Sequence, residues 1–146
     1  MRVTGVYVAC DVGSVRIGVA RSDRDGILAF PLDAIAAGPG AIAELGVLIA
    51  EYEAVGVIIG LPLNMDGTTG SAAQSAEAWA EQLAASVSVP IELLDERLTT
   101  VQAQRGLHDA GRTVRSSRAV IDSASAVVLL QSYLDKARKA SSEHTQ

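Results

Sequence analysis

Val3-Thr4-Gly5-Val6-Tyr7-Val8-Ala9-Cys10-Asp11 is followed at once by Val12-Gly13-Ser14-Val15-Arg16-Ile17-Gly18-Val19-Ala20, two β-rich runs broken at a glycine-serine pair. A third run near residues 27–32 comes after Asp23-Arg24-Asp25-Gly26, whose Asp-Gly favours a hairpin turn. Strands near 3–11, 16–22 and 27–32 therefore form an antiparallel meander. Asp11 stands at the end of the first and most apolar of them. A carboxylate there loses hydration, and it stays ionised only with a metal, a partner charge or several hydrogen bonds.

Downstream, a helix near 40–53 precedes Val55-Gly56-Val57-Ile58-Ile59-Gly60-Leu61, a continuous apolar run of the kind buried on both faces of a parallel sheet. A polar, glycine-rich loop from Pro62 to Gly70 comes next. Ala76, Trp79, Ala80, Leu83, Ala84 and Val87 then repeat at helical spacing over 71–87, and Pro90-Ile91-Glu92-Leu93-Leu94 reads as a strand. Two more helices are expected. One starts at Thr99 or Thr100, where Thr99-Thr100-Val101-Gln102 offers a capping box, and the other runs from near Ser116 to about 138. The order predicts an α/β fold: a mixed five-stranded sheet, three antiparallel strands then two parallel ones, flanked by helices. Residues 1–138 form one domain in this reading, with 139–146 as a disordered tail. Ligands in such sheets gather at the carboxyl ends of strands, where Asp11 and Glu96 lie.

A chain of 146 residues with 49% hydrophobic content suits one domain with a substantial core. Aromatics are only 3%, so base stacking cannot dominate a nucleic-acid contact. The net charge of −5 is unevenly spread: residues 1–100 carry 5 Lys/Arg against 13 Asp/Glu, whereas 101–146 carry 7 against 4. A polyanion should approach the C-terminal third. Cys10, the only cysteine, rules out an internal disulfide and reads as a small core residue. The chain has no signal-like N-terminus and no apolar run long enough to span a bilayer, so a cytoplasmic protein with no membrane partner is expected.

Three acids sit at awkward positions. On a helix, Asp122 shares a face with Ser125, Ala126, Leu129 and Tyr133, and the small residues 123–126 would let that helix approach the sheet closely. A plain alternative is an acid complementing a helix N-terminus. In Leu94-Asp95-Glu96-Arg97, strand alternation lets only one of Asp95 and Glu96 face Asp11, and periodicity does not choose between them. Arg97 paired with a neighbouring acid would be the ordinary surface reading. The Pro62–Gly70 loop is suitably placed to bind phosphate through backbone N–H groups. Gly13 to Gly18 has phosphate-loop spacing, but Val19-Ala20 stands where Lys-Ser/Thr is needed, which excludes a Walker-type nucleotide triphosphatase.

Asp11-Val12-Gly13-Ser14-Val15-Arg16-Ile17-Gly18-Val19-Ala20, Gly60-Leu61-Pro62-Leu63-Asn64-Met65-Asp66-Gly67-Thr68, Asp95-Glu96-Arg97-Leu98-Thr99-Thr100 and Ile121-Asp122-Ser123-Ala124-Ser125-Ala126 together resemble the four signatures of the YqgF (RuvX) family. The match spans nearly the whole chain, in order. It implies a ribonuclease H-like fold related to Holliday-junction resolvases and a nuclease maturing the 5′ end of pre-16S rRNA in ribosome biogenesis. It carries the catalytic, metal-holding role onto Asp11, Glu96 and Asp122, and so selects Glu96 over Asp95. Such hard oxygen ligands suit Mg²⁺ or Mn²⁺, and no His/Cys cluster exists for zinc. Two such ions ~4 Å apart could activate water and stabilise the leaving oxygen.

Arg16, Asn64, Arg97, Arg115 and Arg118 are the candidates for contacting phosphate. The expected partner is structured RNA, pre-16S rRNA ahead of DNA junctions, within ribosomal precursor particles. The resolvase relatives place a further acid one turn after the equivalent of Asp122, where this chain has Ser125. That difference favours generic phosphodiester hydrolysis over junction cleavage. The alternatives are a resolvase-like DNA endonuclease and a non-catalytic ribosome-associated factor. An actin-like ATPase, suggested by Asp11-Val12-Gly13-Ser14, would need a second domain.

Overall fold

The computed structural model describes residues 5–98 and 121–144. Strands β1 (Tyr7–Val12), β2 (Arg16–Ser22) and β3 (Ala29–Ala36) form the meander, and helix α1 (Ala41–Glu51) leads to β4 (Gly56–Leu61). Helix α2 (Ser71–Ser86), strand β5 (Ile91–Asp95) and a 3-10 turn (Glu96–Leu98) follow, and α3 (Ala124–His144) is the last described element. The sheet order is β3-β2-β1-β4-β5. The first three strands are mutually antiparallel, and β4 and β5 run parallel to β1, as the strand pattern predicts.

Alternation along the central strands sends residues into two cores. Val8, Cys10, Val57 and Ile59 pack with Leu45, Ile49 and Leu83 under α1 and α2. Ala9, Ala20 and Ile58 pack with Ala126, Leu129, Leu130 and Leu134 under α3. Both faces of β4 are covered, which is why its sequence is uniformly apolar. Burial raises the Cys10 thiol far above its ordinary range, consistent with a core residue rather than a nucleophile.

Several boundaries differ from expectation, the following most informatively. Strand β3 runs past residue 32 to Ala36 through Pro31 and Asp33, tolerable because it is the edge strand beside β2 and leaves Asp33 exposed. A bulge accompanies it: between Ile17 and Val19 of β2, the partner positions on β3 move from Ile35 to Leu32. The final helix, expected to end at about 138, continues to His144, since no glycine or proline interrupts residues 124–144. Residues 121–122 are helical, with a turn at Ser123 before α3. The helix expected from Thr99 or Thr100, and the beginning of the one expected from Ser116, lie outside the described residues. Among the described residues, no helix is long and apolar enough to cross a membrane.

Candidate active site

Asp11 follows Cys10, so its side chain falls on the α3 face of the sheet. It pairs across the meander with Gly18. Extending the parallel register of Cys10 with Ile59 by one residue sets Gly60 on its other side. The two glycines leave room for the other two acids. A Cβ on Gly18 would lie 2.9 Å from the Asp122 carbonyl oxygen, 3.3 Å from Ser123 Cα and 3.8 Å from Asp11 Cβ. A Cβ on Gly60 would lie 3.0 Å from Glu96 Cδ and collide with its carboxylate oxygen. The start of α3 thus comes down over Gly18 on one flank of Asp11, and the Glu96 carboxylate occupies the space over Gly60 on the other.

Asp95 and Glu96 separate because β5 ends between them and the 3-10 turn begins at Glu96. Glu96 is pushed up to about 7, by burial first, then by the Asp11 charge and a hydrogen bond shared with Asp11. Asp95 grips Arg97 through both carboxylate oxygens, accepting Nε–H at 3.1 Å on each and Nη2–H at 2.7 Å on Oδ2, and accepts the Arg97 backbone N–H at 2.9 Å on Oδ1. Those bonds hold Asp95 below the usual carboxylate range. The ordinary reading of Arg97 is therefore the observed pairing. Its Nη1 also reaches the Met65 carbonyl at 3.3 Å, tying the turn after β5 to the loop after β4.

The Asp122 carboxylate accepts a hydrogen bond from Arg16 Nη1 at 3.1 Å. Asn64 donates to Thr68 Oγ1 at 2.9 Å, and Asp66 accepts the Thr68 N–H and hydroxyl at 3.0 and 2.6 Å, so the Pro62–Gly70 loop is bonded mainly to itself. Thus Arg16, Asn64 and Arg97 all stand near the strand ends, each already bonded to a protein group. Arg115 and Arg118 lie outside the described residues. Ser125 is exposed.

The Asp11–Glu96 pair fits a hard divalent cation, because a cation would offset the burial and the Asp11 charge that together raise Glu96. Among the described residues, no three acids, thiols or imidazoles are spaced as a ready ligand set. Asp122 is brought alongside by its backbone, while its carboxylate meets Arg16. The sequence marks Ser123 only as one of the small residues that let the helix approach the sheet, and marks no role for Gly18 or Gly60. The two glycines were visible within motifs, but nothing local signals which carboxylate lies over a glycine.

A family model described as "RuvX: Holliday junction resolvase" matches residues 5–136. A relative from Thermobifida fusca named "Putative pre-16S rRNA nuclease" is 48% identical over 144 residues, covering 93% of this chain and 91% of its own. One of the same name from Mycobacterium ulcerans is 50% identical over 137 residues, covering 92% and 81%. Among solved structures, Thermus thermophilus RuvC in complex with a Holliday junction substrate superposes with a TM-score of 0.65 at 13% identity, over 92% of this chain and 96% of that one. A fowlpox virus resolvase superposes at 0.56 and 9% identity, over 90% and 97%. At those identities the likeness is one of fold, the ribonuclease H-like arrangement of sheet and helices.

Proposed function

Because the chain belongs to the RuvX family, described as Holliday junction resolvases, we propose that it is a nuclease that hydrolyses phosphodiester bonds with Asp11, Glu96 and Asp122 as its catalytic carboxylates. The observation that carries the reading is the Asp11–Glu96 pair at the carboxyl end of the sheet, with Asp122 brought alongside over Gly18. A protein that only binds phosphate has no use for carboxylates aimed at its ligand.

Asp11 and Glu96, joined by Asp122, would hold Mg²⁺ or Mn²⁺, which would neutralise phosphodiester charge and acidify an attacking water. Without a cation, burial and the neighbouring Asp11 charge favour the protonated form of Glu96 toward neutral pH. Arg16, half exposed and bonded to Asp122, is within a side-chain rotation of exchanging that carboxylate for a phosphate oxygen. Asn64, Arg97, Arg115 and Arg118 complete the proposed nucleic-acid contacts. The substrate we favour is pre-16S rRNA, the RNA in the relatives' name, cut at its 5′ region within ribosomal precursor particles of the cytoplasm. The matched family's description makes a four-way DNA junction the second reading.

The test is to incubate the protein with labelled pre-16S 5′ RNA, duplex RNA and a four-way DNA junction, with Mn²⁺ or EDTA. Cleavage should require the metal and fall by a factor on the order of a hundred or more in Asp11→Asn, Glu96→Gln and Asp122→Asn. Full activity in any one variant would remove that residue from the site. Preferential cutting of the junction would move the substrate from RNA to DNA.

A further inference from the structure

Ser123 is fully buried, and its hydroxyl makes two hydrogen bonds to the sheet. It accepts the Val19 N–H at 2.9 Å and donates to the Leu32 carbonyl at 2.7 Å. Those two groups belong to facing positions on β2 and β3, at the end of the bulge where the register slips. The hydroxyl bridges the two strands there, satisfying backbone groups beside an irregularity that disturbs the ladder. The carbonyl of the same residue accepts the Val127 N–H at 3.0 Å, opening the hydrogen-bonded ladder of α3. One residue therefore has its side chain in the sheet and its backbone in the helix.

Ser123 also adjoins the acids directly. It follows Asp122 in sequence, and its Cα lies over Gly18, the residue between Ile17 and Val19 that faces Asp11. We infer that Ser123 is a positioning residue of the active site: by seating its hydroxyl in the β2–β3 bulge it holds the start of α3, and Asp122 with it, beside Asp11. The inference rests on the metal-nuclease reading for its functional consequence, though not for its geometry.

Gln131, on the same helix, supplies a control built from the same chemistry. Its Oε1 accepts the Ala29 N–H at 2.9 Å and its Nε2 donates to the Ile27 carbonyl at 2.8 Å, again joining α3 to backbone groups at β3, two helical turns from the acids. Removing either side chain unseats α3 from backbone groups, but only Ser123 is coupled to the site.

Ser123→Ala and Gln131→Ala should be compared with the parent by Mn²⁺ titration calorimetry, steady-state RNA cleavage, thermal melting and crystallography. Both variants should melt lower. Ser123→Ala should bind Mn²⁺ about tenfold or more weakly and lose kcat by a similar factor with little change in KM, whereas Gln131→Ala keeps both within about twofold. Parental Mn²⁺ affinity and kcat in Ser123→Ala, or losses in both variants that merely track melting temperature, would overturn the inference. If the parent binds no Mn²⁺, the metal reading itself has failed, and the crystal structure decides the rest. An Asp122 carbonyl still seated over Gly18 in Ser123→Ala would then refute the positioning role, and a displaced one would uphold it.

Discussion

Glu96 gives the metal-free protein a definite response to pH. Its carboxyl ionises near 4.5 when unperturbed and is pushed up to about 7 in the native state by burial and by Asp11. Between those values the native state holds a proton that the unfolded chain has released. Stability should therefore fall as pH rises through that window and level off above it. Glu96→Gln removes this term and should melt several degrees above the metal-free parent at pH 8, converging with it below pH 4.5. Allowing for solvent at a half-buried group, the difference is on the order of 1–2 kcal/mol. Saturating Mn²⁺ should reverse the order, because only the parent gains the full binding energy. Melting curves with and without Mn²⁺ at several pH values decide it, and a pH-independent difference would refute the assignment. Gly60 makes a neighbouring prediction. An added Cβ meets the flexible end of Glu96 rather than backbone, so Gly60→Ala should fold almost normally yet lose activity by about tenfold or more through displacement of the carboxylate. Paired melting and turnover measurements would separate those effects.

At the scale of elements, the turn after β5 divides two adjacent acids between two tasks. Glu96 enters the site, whereas Asp95 holds Arg97 across the carbonyl of Met65 in the loop after β4. An exposed pair of this kind is screened by solvent and adds little to stability, so Asp95→Asn should barely move the melting temperature. It should retain most metal-dependent turnover, in contrast to Glu96→Gln, while amide exchange over residues 64–68 speeds up as the clasp loosens. Hydrogen-exchange mass spectrometry and turnover on the two variants test this, and equal losses of turnover would make the clasp itself part of the catalytic apparatus. The alternation of β5 exposed the choice between Asp95 and Glu96 without resolving it. The 3-10 turn that redirects Glu96 depends on packing over Gly60, which no local pattern encodes.

For the whole molecule, the decisive quantity is the distribution of charge, −8 over residues 1–100 and +3 over 101–146. On the proposed reading the acidic centre repels phosphate, and the long-range attraction is expected from the basic segment, which includes Arg105, Arg112, Arg115 and Arg118. Binding should be weak and steeply salt-dependent, each phosphate contact adding a slope of about −0.7 to −0.9. Arg115→Ala with Arg118→Ala should reduce both affinity and slope and leave the metal requirement intact. Filter binding across a salt series checks this, and an unchanged slope would place the substrate path elsewhere.

The order of the described strands and helices, the mixed sheet and the apolar faces were legible because they arise from periodicities of two and about 3.6 residues, repeated over a few positions of chain. The end of β1 likewise marked Asp11 as a costly place for a charge before any neighbour was known. The rest was decided by contacts between distant segments. Ser123 meets Val19 across 104 residues of sequence, at a bulge created by the register of two other strands. Gly18 and Gly60 matter for the carboxylates that lie over them, and those are brought there by α3 and by the turn after β5. Local pattern determined which elements form and where a buried charge would be expensive. Tertiary packing decided which acids meet, because register, bulge and helix approach are properties of paired elements that neither element carries alone.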